Sequence, residues 1–223
     1  MICIECNNCI KVGDNLYQCS ATGTLHNLES IKALCPIDPM RKRDVIGHLF
    51  NAREYKKGVE IGVQKGLFSE TIRSAWKGKL HLVDNWKFIP DSKDISNVSI
   101  LEQNKLYLSV VNKFMDDREM VIHRMDSIEA ALMFPDDYFD WIYIDADHSF
   151  EGCSDDLKAW WPKLRKGGLF AGHDYMDGEV YLGAFHFSVG VKSAVEKFVL
   201  ENKLEQNISN TLEQDFPSWY FLK

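Results

Sequence analysis

Apolar positions from residue 40 onward follow two spacings. Continuous apolar runs are typical of strands buried on both faces. They predict strands at 58–63, 80–86, 120–125, 140–145, 168–175 and 219–222. Spacings of three and four residues predict helices at 41–54, 69–76, 98–114, 151–164 and 189–200, and a short helix from Ser127. Because strands alternate with helices, we expect an α/β domain with a mostly parallel sheet and helices on both faces.

Three segments carry more specific expectations. The helix 98–114 is amphipathic, and we expect its apolar positions Ile100, Leu101, Leu108 and Val111 to face the core. Lys166-Gly167-Gly168 predicts a glycine cap at the end of the helix 151–164. Residues 176–190 show neither spacing and predict a loop that acts as a lid or acceptor pocket. Its candidate walls are Tyr181, Phe185, His186 and Phe187, and the alternative is a loop that packs its aromatic residues on the core.

Five of the six cysteines lie in the first 35 residues. This clustering predicts a cysteine-rich unit at 1–38, followed by the main domain at 39–223. Thiolates at two-residue spacings converge on one ion, and four of them suffice for structural Zn²⁺. The preferred set is Cys6, Cys9, Cys19 and Cys35. An iron–sulfur cluster and disulfides are the alternatives. The sequence leaves open whether the unit presents substrate, forms a homodimer contact or binds another macromolecule.

Composition and charge narrow the class of partner. Hydrophobic residues make up 45% of the chain, as in ordinary globular proteins. A formal charge of −7 gives no general attraction to phosphate backbones, which argues against nucleic acid. The triplet Arg41-Lys42-Arg43 is expected on a solvated helix face. The apolar runs are too short to cross a bilayer and the start MICIEC lacks a signal-peptide pattern, so we expect a cytoplasmic protein with no membrane partner.

A glycine-bearing turn, VEIGVQKGLFS, follows the first strand of the main domain. Gly62 and Gly66 allow a tight turn and close approach of the backbone to a ligand. In the dinucleotide pattern G-x-G-x-x-G the first glycine makes room for a pyrophosphate. Glu60 stands at that position here, and an anion would repel a diphosphate. A ligand with a cationic end therefore fits better.

Aspartates end the next two strands. Asp84, in LVDNW, is placed to accept both hydroxyls of an adenosine ribose, and Asp126, in HRMDS, to accept from an adenine amino group. Each aspartate alone is more often a helix N-cap or a turn former. The carboxyl ends of parallel strands meet at one edge of the sheet, where ligands of such folds bind. The sequence therefore predicts a ligand site at this edge.

Together these segments resemble a family. VEIGVQKGLFSETI, LVDNW, HRMDS, FDWIYIDADHSFEGCSDDLKAWWPKLRKGGLFAGHDY and GVKSAVEKF are similar to class I S-adenosylmethionine-dependent methyltransferases, over about residues 45–200. The likeness is greatest to small-molecule O-methyltransferases with D-x-D-H-S and H-D motifs. It implies a Rossmann-like sheet of seven strands with the last antiparallel. It also implies an S-adenosylmethionine site formed by Glu60, Gly62, Gly66, Asp84, Asp126 and Ser127. Trp86 either covers the adenine or serves as a core or lid aromatic.

The end of the fourth strand, IDADHS, holds the candidate catalytic groups. The unperturbed pKa of a histidine suits a base at neutral pH, which makes His148 a candidate, and Asp147 is expected to fix its tautomer or act as the base itself. By resemblance, Asp145, His173 and Asp174 stand where metal-dependent relatives bind Mg²⁺. A histidine ligand would shift the preference toward Mn²⁺, Fe²⁺ or Zn²⁺. The alternative is that Asp145 caps a loop and His173 bonds across the strand ends.

The sequence therefore predicts an S-adenosylmethionine-dependent methyltransferase that acts on a hydroxyl of a small molecule, with or without a divalent metal. One alternative is a cysteine-rich binding module fused to a methyltransferase-like domain, which recruits a protein or nucleic-acid target. Another is an NAD-dependent dehydrogenase, which the anion at Glu60 disfavours.

Overall fold

A computed structural model describes residues 9–13, 16–19, 25–27, 42–90, 96–182, 185–204, 208–211, 213 and 216–223. Its N-terminal part is a three-stranded antiparallel sheet of β1 (Cys9–Gly13), β2 (Leu16–Cys19) and β3 (Leu25–Asn27). The backbone register places Cys9 opposite Cys19. Cys6 and Cys35 lie outside the described residues. The zinc site and the boundary of the cysteine-rich unit therefore stay predictions.

The main domain is built on a seven-stranded sheet. Its parallel part comprises β4 (Lys57–Ile61), β5 (Lys79–Asp84), β6 (Met120–Arg124), β7 (Phe139–Ile144) and β8 (Leu164–Gly172). Two further strands are β11 (Ser209–Asn210) and β12 (Trp219–Leu222), with β12 antiparallel to both β8 and β11. The order across the sheet is β11-β12-β8-β7-β4-β5-β6. The expected Rossmann-like, mostly parallel sheet is confirmed.

Among the described residues, six α-helices pack on this sheet: α1 (Ile46–Ala52), α2 (Leu67–Ala75), α3 (Ile100–Phe114), α4 (Ser127–Ala131), α5 (Phe150–Trp160) and α6 (Val191–Glu201). Two hydrophobic cores result. The first contains residues of α4, α5 and α6, such as Leu157 and Val195. The second contains residues of α1, α2 and α3, such as Phe50 and Ile72. Alternate residues of the central strands enter different cores, because side chains along a strand point to opposite faces.

The predicted loop at 176–190 is instead a hairpin of β9 (Asp177–Leu182) and β10 (Phe185–Gly190). Val180 and Val189 are buried beneath it, whereas Tyr181 is 70% exposed. Buried and exposed residues alternate along these strands, as in a β-hairpin. The alternation was not recognised in the sequence because it is short and lies among glycines and aromatic residues.

The helix predicted at 151–164 ends earlier than expected. A 3₁₀ turn, Trp161–Lys163, follows α5, and Leu164 already begins β8. Pro162 explains the early end, because proline lacks the N–H that an α-helix would need there. Gly167 lies within the strand with φ +74°, so the glycine pair shapes an irregular strand rather than a helix cap.

The α3 helix buries a different face from the one predicted. Gln103, Val110 and Phe114 point inward, whereas Leu101 and Leu108 are 64% and 55% exposed. The helix therefore exposes a row of apolar side chains to solvent. Its orientation is set by the packing of Val110 and Phe114 beside the glycine turn.

In the part of the chain that the structure describes, no helix has both the length and the apolar character needed to cross a membrane.

Candidate active site

The turn after β4 lies against the end of β7. Gly62 has φ +84°, and a Cβ there would lie 1.8 Å from the Asp145 carbonyl oxygen. Gly66 has a left-handed conformation, φ +66° and ψ 27°, where it starts α2. A residue with a side chain is strained at both positions, and at Gly62 it also collides with the neighbouring strand. These two glycines therefore fix the shape of the turn and its contact with the fourth parallel strand.

Glu60 lies under this turn and is 1% exposed. The Ser69 hydroxyl donates a 2.6 Å hydrogen bond to Glu60 Oε2. Burial raises the pKa of Glu60 to about 8, against the smaller opposing effect of Ser69. Burial thus favours the neutral acid over the anion that the sequence suggested, and the cofactor contact of Glu60 stays a prediction. A cationic ligand group beside it would draw it into the ionised form.

Asp84, at the end of β5, stabilises the glycine turn through hydrogen bonds. Its Oδ2 accepts from the backbone amides of Val63 and Gln64 at 2.9 and 2.8 Å, and Oδ1 accepts from Trp86 N at 2.7 Å. Burial raises the pKa of Asp84 in spite of these bonds. The structure thus gives Asp84 a loop-shaping role, and its contact with a ribose stays a prediction.

Trp86 is 1% exposed and belongs to the core beside α3. Its Nε1 donates to the Gln64 carbonyl at 2.9 Å, and its ring centroid lies 5.2 Å from that of Tyr107. The position favours the core role that the sequence left open. The adenine contact stays a prediction.

Asp126 and Ser127 begin α4. Asp126 Oδ1 accepts from the Ile128 amide at 2.8 Å and caps the helix. The Ser127 hydroxyl donates to Asp156 and accepts from Trp160 Nε1 at 2.9 Å. Burial raises the pKa of Asp156 to about 7. Both predicted adenine-binding residues thus have structural contacts at the rim of the sheet, and their adenine contacts stay predictions.

The ends of β7 and β8 bring two histidines and two aspartates together. His148 Nε2 lies 2.8 Å from Asp174 Oδ2 and 3.4 Å from Asp145 Oδ1. His173 Nδ1 lies 3.1 Å from Asp174 Oδ1 and 3.7 Å from Asp145 Oδ1. Although burial favours the neutral acid, hydrogen bonds from the two histidines hold the pKa of Asp174 well below its ordinary value. The cluster therefore keeps Asp174 anionic and facing His148.

Asp147 makes contacts within its own turn, and its catalytic role stays a prediction. Its Oδ1 accepts from the Ser149 amide at 2.8 Å, and a Cβ at Gly152 would lie 2.3 Å from its Cγ. Asp147 thus shapes the turn that leads into α5. In the described residues, the carboxylates that contact the His148 ring are Asp145 and Asp174.

A family model described as a methyltransferase domain matches residues 59–175, more than half of the chain. The chain belongs to this methyltransferase family. The match spans the glycine turn, the aspartates at the strand ends and the His148 cluster. The resemblance to class I S-adenosylmethionine-dependent methyltransferases is confirmed.

Solved structures support the same fold. An O-methyltransferase family protein from Burkholderia thailandensis has a TM-score of 0.57 and 7% identity, over 88% of this chain and 58% of its own. A Podospora anserina methyltransferase with bound S-adenosylhomocysteine has a TM-score of 0.54 and 12% identity, over 80% and 76%. A Burkholderia thailandensis 1,6-didemethyltoxoflavin-N1-methyltransferase, with bound 1,6-didemethyltoxoflavin and S-adenosylhomocysteine, has a TM-score of 0.53 and 11% identity, over 81% and 76%. A search of curated proteins gave no match.

Arg43 is a residue of this methyltransferase site that sequence reasoning missed. Its Nη1 lies 3.0 Å from Asp145 Oδ2, and its side chain is 28% exposed. The guanidinium carbon lies 4.8 Å from the centroid of the Phe68 ring. The expectation of a solvated helix face is therefore wrong for Arg43, because the 3₁₀ turn Arg43–Val45 packs against α2. The signal available in the sequence was an arginine at the start of the helix predicted at 41–54, before the first strand of the main domain.

The His148 cluster also has the donor set of a cation site. Donor atoms of Asp145, His148 and Asp174 lie within 4.8 Å of one another, and His173 contacts both aspartates. Two carboxylates with imidazole nitrogens suit Mn²⁺, Fe²⁺ or Zn²⁺ better than Mg²⁺. The group of Asp145, His148 and Asp174 thus suits a divalent ion, it shares Asp145 and Asp174 with the predicted set, and the metal itself stays a prediction.

Proposed function

We propose that this methyltransferase transfers the methyl group of S-adenosylmethionine to a hydroxyl of a small molecule, with His148 as the general base. The observation that carries the proposal is the 2.8 Å contact between His148 Nε2 and Asp174 Oδ2 beside the glycine turn. An imidazole held by two carboxylates accepts a proton readily, because both anions favour the imidazolium.

The proposed reaction is an in-line displacement. The acceptor oxygen attacks the sulfonium methyl carbon while the hydroxyl proton moves to His148. The methyl–sulfur bond breaks, its electron pair stays on sulfur, and S-adenosylhomocysteine leaves. The protein contributes orientation through the fixed glycine turn and proton removal through His148. Asp174 and Asp145 stabilise the imidazolium that forms.

The hairpin β9–β10 is proposed as the lid over the acceptor. Gly190 N donates to the His148 carbonyl at 2.9 Å, so the end of the hairpin adjoins the base. Tyr181 and His186 stack on it with centroids 4.4 Å apart and planes within 6°. Exposed aromatic rings of this kind suit contact with a small organic acceptor. Phe187 packs against the first core instead, and the Phe185 side chain lies outside the described residues.

Divalent-metal assistance is proposed as part of the same function. Asp145, Asp174 and His173 would hold the ion, leaving His148 for the proton. When bound, the ion supplies a Lewis acid that lowers the pKa of the acceptor hydroxyl. In this proposal Asp174 both binds the ion and orients His148, because its Oδ1 faces His173 and its Oδ2 faces His148.

Binding and turnover test the proposal separately. Calorimetric titration with S-adenosylhomocysteine and with NAD should show binding of the homocysteine compound alone. A screen of hydroxylated metabolites should then release S-adenosylhomocysteine with some of them and yield an O-methyl product by mass spectrometry. Methylation on nitrogen only, or binding of NAD alone, would contradict the proposal.

The metal is tested by direct binding and by turnover. Mn²⁺ titration followed by paramagnetic resonance should show one site that is lost in Asp174→Asn. EDTA should lower turnover with the identified acceptor, and Mn²⁺ should restore it. Turnover that is unchanged by EDTA would remove the metal from the proposal while leaving His148 as the base.

A further inference from the structure

Arg43 lies where the glycine turn, α2 and the end of β7 meet. Its guanidinium is above the Phe68 ring, in the first turn of α2, and its Nη1 contacts Asp145 Oδ2. The other oxygen of Asp145 faces the two histidines. Asp145 thus separates Arg43, on the side of the glycine turn, from His148, on the side of the proposed acceptor.

Carboxyl groups lie around the glycine turn. Glu60, Asp84 and Asp145 lie at or just past the ends of β4, β5 and β7. S-adenosylmethionine carries a sulfonium and an ammonium, which suit such groups, but it also carries an α-carboxylate, which does not. A carboxylate bound at this edge needs a cation beside it. Arg43 supplies a cation next to Asp145.

We propose that Arg43 binds the α-carboxylate of the methionine portion of S-adenosylmethionine, while Asp145 takes the neighbouring ammonium. This inference rests on the proposed use of that cofactor. The adjacent Arg43 and Asp145 side chains match the opposite charges on the α-carbon of the cofactor. Arg43 precedes residues 59–175, so the family match does not assign it a role.

The chemistry of arginine suits this contact. A guanidinium is planar and carries five N–H donors, so it pairs with a carboxylate through two parallel hydrogen bonds. The Phe68 ring beneath the guanidinium restrains the orientation of the guanidinium plane. A lysine at this position would keep the charge but lose the paired geometry.

Calorimetry with two ligands tests the proposal. One ligand is S-adenosylhomocysteine, and the other is its decarboxylated analogue, which keeps the amine and the thioether. Arg43→Met should weaken binding of S-adenosylhomocysteine about 10- to 100-fold, and binding of the analogue less than about 3-fold. Arg43→Lys should fall between wild type and Arg43→Met for S-adenosylhomocysteine. Lys42→Met, an exposed neighbour with the same loss of charge, should bind both ligands as wild type does.

The outcomes separate three cases. Equal weakening of both ligands by Arg43→Met would overturn the proposal, because Arg43 would then act by holding Asp145. If wild type binds neither ligand, the proposed function itself fails. Circular dichroism checks that the variants are folded, and if Arg43→Met unfolds, the ratio of the two affinities in Arg43→Lys decides. An unchanged ratio in Arg43→Lys would also overturn the proposal.

Discussion

His148 Nε2 and Asp174 Oδ2 lie 2.8 Å apart, although they belong to turns after different strands. The parallel pairing of β7 with β8 brings these turns together, since His173 N donates to the Ile144 carbonyl at 2.9 Å just past the strand ends. Asp174 adopts a left-handed conformation there, with φ +53°. The contact therefore depends on strand pairing and on a backbone conformation that is uncommon for aspartate.

Replacing His148 tests its role as the base. We expect His148→Gln to lower kcat about 10²- to 10⁴-fold, because glutamine cannot accept the proton from the hydroxyl. Affinity for S-adenosylhomocysteine should change less than about 3-fold, since the proposed role lies in the chemical step. Steady-state kinetics with the identified acceptor and calorimetry measure the two effects. A kcat equal to that of wild type would remove His148 from the mechanism.

Gly62→Ala should destabilise the protein and abolish cofactor binding. The new Cβ would lie 1.8 Å from the Asp145 carbonyl oxygen, and φ +84° adds about 1–2 kcal/mol of backbone strain. Thermal unfolding and titration with S-adenosylhomocysteine measure the result. Gly178→Ala is the matched control, because its φ is +134° and a Cβ there would meet no atom within 4 Å. If both variants lose the same stability and both bind the ligand, close packing at Gly62 is unimportant.

Glu60→Gln should change how stability depends on pH. The folded-state pKa of Glu60 is about 8, above the ordinary value of 4.5. Between these two pKa values the folded state keeps a proton that the unfolded chain releases. The contribution of this carboxyl to folding stability is therefore full below pH 4.5 and is lost as pH rises toward about 8. The ligand-free variant should therefore gain stability relative to wild type between pH 5 and 8, as measured by urea denaturation. Glu129→Gln, at an exposed position, should keep the wild-type slope.

His81 should make the fold sensitive to acid. Burial and the neighbouring His123 lower the pKa of His81 to about 4 from the ordinary 6.5. His81 Nδ1 lies 2.9 Å from His123 Nε2, and Phe134 and Phe139 pack against the His81 ring. Below the ordinary value the unfolded chain binds a proton that the folded protein excludes, so stability falls as pH drops from 6.5 toward about 4.

Denaturation of His81→Leu over the same pH range checks this effect. The variant should lose less stability than wild type as pH falls, because leucine does not titrate. His186→Gln on the exposed hairpin serves as the control and should follow wild type. Identical slopes for wild type and His81→Leu would mean that other groups cause the acid sensitivity.

Much of the fold could be predicted from local pattern. The five parallel strands and their helices follow from apolar runs and helical spacing, which each segment carries in its own residues. The hairpin β9–β10 and the buried face of α3 could not, because neighbouring elements decide which apolar residues are covered. Leu101 and Leu108 have helical spacing, but Val110 and Phe114 pack beside Gly66.

The sequence by itself determined the family and the order of the strand ends, because glycines and aspartates just past apolar runs identify the edge where ligands bind. The tertiary structure decided which of these groups touch. It placed His148 against Asp174, raised the pKa of Glu60 by burial, and placed Arg43 against Asp145. Such contacts depend on side chains brought together from distant segments, and a local pattern contains no information about those distances.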